Sequence, residues 1–352
     1  MITQLHLENF KGHLDTRLSL PRFAILVGDN GSGKTSVLEA LRFPGEHIEQ
    51  IPGDELDELL RRSAHRIGLG FEGQGRQRWT GSIDLDSQSP HGWNMIIKGQ
   101  SAEVGFQSND GITAEYSQHA YALQQLSKLM GPIRLYRFRA DQVAAVAYSA
   151  QSQTVVAEDG AQTAVVLADL KLADDERFNR IENALRKIVP SFQRLRIGPA
   201  MIEVPHSSQP VRGSRLHLDF QGATNVPAHR ASHGTLVALA LLTVLHGNDR
   251  PGVILLDDFD HSLHPRAQME LVRMIKDLLE LDEFRDTQVI ATTHSPYVLD
   301  EVSPSNVIAF ALREDGTVAS KPLSEHPDAA KVTGALKAGE LWTLDAERDW
   351  VR

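Results

Sequence analysis

The sequence lacks two kinds of feature. None of its 352 residues is cysteine, so disulfide scaffolds, zinc–thiolate sites and cysteine nucleophiles are excluded. Long apolar runs are also missing, because the longest, Leu236 to Leu245, is interrupted by Thr243 and is too short to cross a bilayer. The first residues alternate polar and apolar side chains, unlike a signal peptide. We therefore expect a cytoplasmic protein without a membrane partner.

Positive charge is scarce as well. With 36 Lys and Arg against 46 Asp and Glu, the formal net charge is −10, which argues against coating of nucleic acid by bulk electrostatics but does not exclude a local basic groove. Short basic clusters are either such a groove, a partner surface or an ordinary solvated face. They comprise Arg61, Arg62, His65, Arg66, Arg76, Arg78, Arg134, Arg137 and Arg139.

A glycine-rich segment dominates what is present. Gly28–Thr35 reads GDNGSGKT and fits the phosphate-binding P-loop pattern G-x-x-x-x-G-K-[ST]. An apolar run, residues 23–27, predicts a buried strand before it, and residues 36–42 predict a helix after it. In that context the backbone N–H groups and the helix dipole attract a triphosphate. Lys34 is expected to reach the β- and γ-phosphates, and Thr35 to ligate Mg²⁺. The candidate nucleotide contacts are Gly28, Asn30, Gly31, Ser32, Gly33, Lys34, Thr35 and Ser36.

Two later strands end in polar residues that suit the same chemistry. Residues 253–256 are apolar and are followed by Asp257 and Asp258. At the end of a central strand, Asp257 would share Mg²⁺ with Thr35, and Asp258 would orient the attacking water. Another apolar run ends at Thr292-Thr293-His294, which favours His294 as a hydrogen-bond donor to the γ-phosphate.

A third segment, Ser232-His233-Gly234-Thr235, opens a long apolar helix. Serine at such a position is either an ordinary N-cap or part of a second anion site. A second site has a purpose if Ser232 and Gly234 face the phosphates of another copy of the chain.

Alternating strands and helices near both ends of the chain predict one α/β core with a mixed sheet. Short alternating runs from about residue 64 to 106, and helical periodicity further on, predict an inserted antiparallel β and helical lobe. We expect the core to comprise residues 1–62 and 230–352, and the insertion to comprise residues 63–229. The sequence carries no heptad region long enough for a coiled-coil arm.

Together these motifs resemble the ABC-type ATPase heads of the SMC, RecF and OLD group, and most of all the short AAA-family ATPases of bacterial defence loci. The resemblance spans nearly the whole chain. The segments that carry it are Ile2–His13, Gly28–Thr35, Ser232–Thr235, Leu255–Asp258, Leu263–Pro265 and Thr293–Pro296.

The resemblance implies an ATPase with ATP and Mg²⁺ as ligands, working as an ATP-sandwich homodimer or higher oligomer in which Ser232 and Gly234 act in trans. It also implies a glutamine that reaches the nucleotide site. Gln142 is a candidate for that glutamine, with Gln151 and Gln153 as alternatives. Asp258 stands where the family usually has Glu, and the shorter side chain predicts slow hydrolysis. OLD nucleases carry a Toprim metal cluster, which we do not find after His294, so nuclease activity is not expected.

Three hypotheses follow from this reading. The first is a nucleotide-dependent switch that controls a separate effector protein in anti-phage defence. The second is a RecF-like ATPase that binds DNA through the basic clusters. The third is a scaffold with a degenerate site, which the intact Lys34, Thr35 and Asp257 disfavour.

Overall fold

A computed structural model of the protein describes residues 1–46, 58–60, 64–75, 77–89, 92–101, 105–111, 116–148, 154–203, 209–330 and 336–351. The predicted α/β class with a mixed sheet and antiparallel strands is confirmed. The strands are β1 (Ile2–Phe10), β2 (His13–Ser19), β3 (Phe23–Gly28), β4 (Arg66–Gln74), β5 (Arg78–Ser89), β6 (Gly92–Ser101), β7 (Gly105–Gly111), β8 (Ile133–Tyr136), β9 (Phe192–Ile202), β10 (Val211–Phe220), β11 (Ala223–Pro227), β12 (Val253–Leu256), β13 (Gln288–Thr292), β14 (Val307–Leu312) and β15 (Val318–Pro322).

Helices alternate with these strands. The described helices are α1 (Lys34–Glu46), α2 (Tyr116–Met130), α3 (Ala140–Val143), α4 (Thr163–Ala173), α5 (Asp175–Ile188), α6 (His233–His246), α7 (Pro265–Leu279), α8 (Pro296–Leu299), α9 (Ala338–Trp342) and α10 (Glu347–Trp350). Among the described residues, no helix is long and apolar enough to cross a membrane.

The chain divides into two compact units. The first comprises Met1–Leu135, Pro251–Asp257 and Leu279–Arg352, and the second comprises Tyr136–Arg250 and Asp258–Leu278. These divisions differ from the predicted core and insertion, which stay a prediction about domains.

The first unit contains the sheet that positions the P-loop. Its strand order is β15-β14-β3-β13-β12-β8, and β14, β3, β13 and β12 run parallel. Every residue of β3, β12 and β13 is buried, as expected for strands covered on both faces. The carboxyl ends of parallel strands meet at one edge, where such sheets bind their ligands.

An antiparallel sheet of order β2-β1-β4-β5-β6-β7 belongs to the same unit. The strand β4 pairs with β1 over Ile2–Glu8, so the later antiparallel strands continue the sheet that begins at the N-terminus. One face of this sheet carries Leu5, Leu69 and Ile83 into a core that also holds Leu126 of α2. Gly81 admits that leucine, because a Cβ there would lie 2.3 Å from Leu126 Cδ1.

The second unit combines a sheet of order β11-β10-β9 with helices. Its central helix α6 is buried along Gly234–His246, which explains why the sequence of this helix lacks a polar face. The helix α5 is amphipathic, with Phe178, Ile181 and Leu185 buried.

Candidate active site

The P-loop has the backbone conformation that its glycines predict. Gly28, Gly31 and Gly33 have φ values of 141°, 79° and 99°, a region that favours glycine. At Gly28 space is limiting too, because a Cβ there would lie 2.2 Å from the backbone oxygen of Phe310 in β14. The loop is therefore pressed against a neighbouring strand and then curls into α1.

The polar groups of this loop fit an anionic ligand. Lys34 is 6% exposed, and its Nζ donates to the carbonyl oxygens of Gly28 at 2.7 Å and Asp29 at 2.8 Å. This holds the ammonium group over the curled backbone. The Ser32 hydroxyl is buried in the same loop without a hydrogen-bond partner, and a buried polar group of this kind calls for a ligand or water. Both observations fit a bound phosphate.

His13, in β2, contacts the P-loop through its imidazole ring. Its Nε2 lies 3.2 Å from the Gly33 carbonyl oxygen, and its Nδ1 lies 3.0 Å from Thr16 Oγ1. These contacts fit a neutral ring that donates to Gly33 and accepts from Thr16. Burial lowers the pKa of His13 to about 4, because an imidazolium ion would lose hydration there. His13 was not predicted from the sequence.

The predicted Mg²⁺ ligands are brought together in the first unit. The Thr35 hydroxyl lies 3.4 Å from each carboxylate oxygen of Asp257, which directly follows β12. Oxygen ligands of this kind are those that Mg²⁺ prefers. Thr292, the last residue of β13, donates from Oγ1 to Asp257 Oδ1 at 2.7 Å. The Thr292 contact was missed, although two neighbouring parallel strands that both end in polar residues carry the signal for it.

His294 follows β13 in the first unit and is exposed. The turn around it is fixed by the backbone N–H of Ser295, which donates to Thr293 Oγ1 at 3.0 Å. An exposed imidazole on a fixed turn is suited to contact a ligand.

The helix start predicted as a second anion site lies in the second unit. Ser232 is the N-cap of α6, and its Oγ accepts from Thr235 N at 3.2 Å and lies 2.7 Å from Thr235 Oγ1. In this structure Ser232 therefore acts as an ordinary N-cap of α6. Packing also favours glycine at position 234, since a Cβ there would lie 2.8 Å from the backbone oxygen of Ser262.

Further predicted residues meet at a pocket of about 280 Å³ inside the second unit. It is lined by Asp258, by His233 at the start of α6, and by Arg139 and Asp141. Gln142 is adjacent to this wall and donates from Nε2 to Asp141 Oδ2 at 3.1 Å. Asp258, which was predicted to position water, thus shares one cavity with the start of α6 and with Asp141, the chain neighbour of Gln142. The alternatives Gln151 and Gln153 lie outside the described residues.

Asp258 adopts an uncommon backbone conformation. Its φ is 47°, and Ser262 of the same loop has a φ of 69°. Non-glycine residues rarely adopt this left-handed region, in which Asp and Asn are several-fold enriched.

Three arginines of the predicted basic clusters form ion pairs with carboxylates. Arg66 contacts Asp84 at 2.7 Å, Arg137 contacts Glu158 at 3.3 Å, and Arg139 contacts Asp141 at 2.9 Å. These pairs favour the solvated-face interpretation over a nucleic-acid groove. Arg61, Arg62 and Arg76 lie outside the described residues.

A cluster in the C-terminal segment joins His326, Asp328 and Asp345 within 4.8 Å. The backbone N–H of Asp328 donates to His326 Nδ1 at 3.2 Å, so a neutral ring carries its proton on Nε2. That nitrogen lies 3.6 Å from Asp345 Oδ2, which is longer than a hydrogen bond, and it is buried without a hydrogen-bond partner. A metal ion bound there would need the Nε2 lone pair, which this tautomer does not offer.

Known proteins share parts of this sequence and its fold. The Septu protein PtuA of Bacillus thuringiensis is 37% identical over 70 residues, 20% of this chain and 16% of that protein. The retron Ec83 probable ATPase of Escherichia coli is 25% identical over 134 residues, 38% of this chain and 24% of that protein. The chain thus spans less than a quarter of the length of these relatives. A crystal structure of an Smc head bound to the C-winged helix domain of ScpA matches the fold, with a TM-score of 0.55 and 14% identity, over 92% of this chain and 99% of that one.

Two family models match the sequence. An "AAA ATPase domain" covers residues 1–49, which include the P-loop. The model described as "AAA domain, putative AbiEii toxin, Type IV TA system" covers residues 95–300, more than half of the chain. The protein therefore belongs to this family of AAA domains.

Proposed function

We propose that the protein binds and hydrolyses ATP as a nucleotide-dependent dimeric switch, and that it controls a separate effector protein in a bacterial anti-phage defence system. The observation that carries the ATPase proposal is the P-loop with its buried Lys34, set beside the Thr35 and Asp257 oxygens. The Septu and retron relatives support the defence setting and the separate effector.

In this proposal the residues of the first unit hold the nucleotide. Lys34 exchanges its contacts with the loop carbonyls for the β- and γ-phosphates, and Thr35 and Asp257 hold Mg²⁺. The bound ion would neutralise charge on the phosphate oxygens. His294 donates a hydrogen bond to the γ-phosphate.

The residues of the second unit complete the reaction in a dimer. Ser232 and Gly234, at the positive end of α6, contact the triphosphate held by a second copy. Asp258 orients the attacking water, and its short side chain makes turnover slow. Gln142 is proposed as the glutamine that reports nucleotide binding.

Trapping the dimer tests this function. The Asp258→Asn variant should bind ATP without hydrolysing it, so light scattering after gel filtration should show a dimer with ATP and Mg²⁺ and a smaller species with EDTA. A variant that has the same mass in both conditions contradicts the switch. Lys34→Ala, in the same background, should remain in the smaller form.

Complementation tests the trans arrangement. Lys34→Ala removes the phosphate contact of a subunit, and Ser232→Arg blocks its contact with the partner. Each variant alone should lack hydrolysis, whereas an equimolar mixture should recover activity at one composite site per mixed dimer. A mixture as inactive as its components would argue that Ser232 does not act in trans.

The RecF-like alternative stays a prediction, and the paired arginines do not favour it. It predicts ATP-dependent binding of duplex DNA that weakens steeply between 50 and 200 mM salt, by about 10³-fold for six phosphate contacts. Absence of a mobility shift at low salt with ATP present would eliminate it.

A further inference from the structure

We infer that Thr292 is a positioning residue for Asp257, and that its hydroxyl determines how tightly the site holds Mg²⁺. This inference rests on the proposed function, because it takes Asp257 as a ligand of the ion. It adds a residue to which no role in the site has been assigned above.

The hydrogen bond singles out one carboxylate oxygen. Thr292 Oγ1 donates to Asp257 Oδ1 at 2.7 Å, a normal length for a hydroxyl–carboxylate bond. The Thr35 hydroxyl, in contrast, lies at the same distance of 3.4 Å from Oδ1 and Oδ2. Thr35 therefore does not distinguish the two oxygens, and Thr292 does.

The sheet fixes the position of that hydroxyl. Leu256 pairs with Ala291 across β12 and β13, so the next residues along the chain, Asp257 and Thr292, lie side by side. On its other side Thr292 pairs with Leu26 of β3. The side chain is fully buried and branched at Cβ, which restricts its rotamers.

A fixed donor restricts rotation of the carboxylate. The terminal torsion of aspartate is broad, so the loss of this hydrogen bond gives Asp257 more freedom to turn. With one oxygen tied to Thr292, the remaining lone pairs keep a constant direction at the sheet edge beside Thr35. Partners of this kind orient metal ligands, and their loss typically lowers metal affinity about 10- to 100-fold.

Thr292→Val tests the inference, because it removes the hydroxyl and keeps the branched shape. The readout is the MgCl₂ concentration that gives half-maximal fluorescence of a bound N-methylanthraniloyl ATP analogue, which does not require hydrolysis. We expect this concentration to rise about 10- to 100-fold for Thr292→Val and to change little for Thr292→Ser, which retains the hydroxyl.

Thr163→Val is a matched control. It makes the same substitution at another buried threonine, whose hydroxyl donates to the backbone oxygen of Gly160 at 2.7 Å and to which the proposed site assigns no part. Its Mg²⁺ requirement should equal that of the wild type. Nucleotide binding in EDTA should be the same for all these variants, because it does not involve the ion.

Other outcomes overturn the inference. An unchanged Mg²⁺ requirement in Thr292→Val removes the positioning role, and equal losses with and without Mg²⁺ would indicate a purely structural one. If Thr292→Val does not fold, Thr292→Ser and Thr292→Ala still give the comparison, and equal Mg²⁺ requirements in these two overturn the inference. If the wild type binds nucleotide without any Mg²⁺ dependence, the proposed metal site itself fails, which is a distinct result.

Discussion

Two helix starts invite comparison, the P-loop before α1 and the Ser232 turn before α6. At the first, three glycines with positive φ curl the backbone, and Lys34 contacts the carbonyls of the loop. At the second, the Ser232 hydroxyl caps its own helix. A helix start can therefore be shaped to receive a ligand, as in the P-loop, or be capped by its own side chain, as at Ser232. The P-loop is preorganised, whereas Ser232 has to give up a cap in order to reach a phosphate.

The largest expected effect tests why the P-loop glycines are present. Gly28→Ala places a Cβ 2.2 Å from the Phe310 oxygen and should lower the free energy of unfolding by about 3 kcal/mol or more. Gly31→Ala meets nothing within 4 Å and has only the backbone cost of about 1 kcal/mol. Urea denaturation measures both. Equal losses would show that conformation, not close approach, governs Gly28.

Acidification tests the buried imidazole of His13, which contacts the P-loop at Gly33. His13 binds a proton near pH 6.5 in the unfolded chain but only near pH 4 in the folded one, so acid favours unfolding. Between pH 7.5 and 5 this residue should remove about 2 kcal/mol of stability. The His13→Gln variant should lose less stability over this interval, by about that difference in urea melts. Parallel pH profiles would contradict the buried, neutral imidazole.

At the second helix start, the glycine tests packing against function. Gly234→Ala brings a Cβ to 2.8 Å from the Ser262 oxygen. Overpacking of this kind costs about 1–3 kcal/mol, and the better helix propensity of Ala returns up to about 1 kcal/mol. We expect a net loss of about 1–2 kcal/mol in thermal unfolding of the nucleotide-free protein. An unchanged melting temperature would leave ligand contact as the reason for glycine.

The smallest expected effect concerns the cap. Ser232→Ala should cost about 1 kcal/mol of stability, and Ser232→Gly only a few tenths. Both variants should lose ATP-dependent dimerisation to a similar extent, since both lack the hydroxyl. Dimerisation that instead follows stability would mean that Ser232 acts as a cap alone.

The sequence predicted the P-loop and the Thr35–Asp257 pair because local motifs carry them. The glycine spacing specifies the loop, and an apolar run that ends in acids specifies a strand edge. His13 and Thr292 were missed because each contacts a partner distant in the chain, Gly33 and Asp257 respectively. Such contacts depend on strand order and register, which a single sequence does not reveal.

The helical segments show a similar limit. Within the helical periodicity predicted for the inserted lobe, α2 (Tyr116–Met130) forms where the apolar spacing is clear. The described part of the C-terminal segment contains α9 and α10, each of five residues or fewer. Helices this short depend on tertiary packing, such as the burial of Trp350, and not on periodicity.

The left-handed backbone of Asp258 offers a further reason why this position holds aspartate, which is one methylene shorter than glutamate. Under the proposed function, a longer side chain would reach the attacking water more closely but would strain this backbone, whereas aspartate is among the residue types that tolerate such a φ. In that proposal the shorter acid balances reach against backbone geometry. Asp258→Glu would therefore test first whether this loop folds with a longer side chain, and only then whether hydrolysis becomes faster.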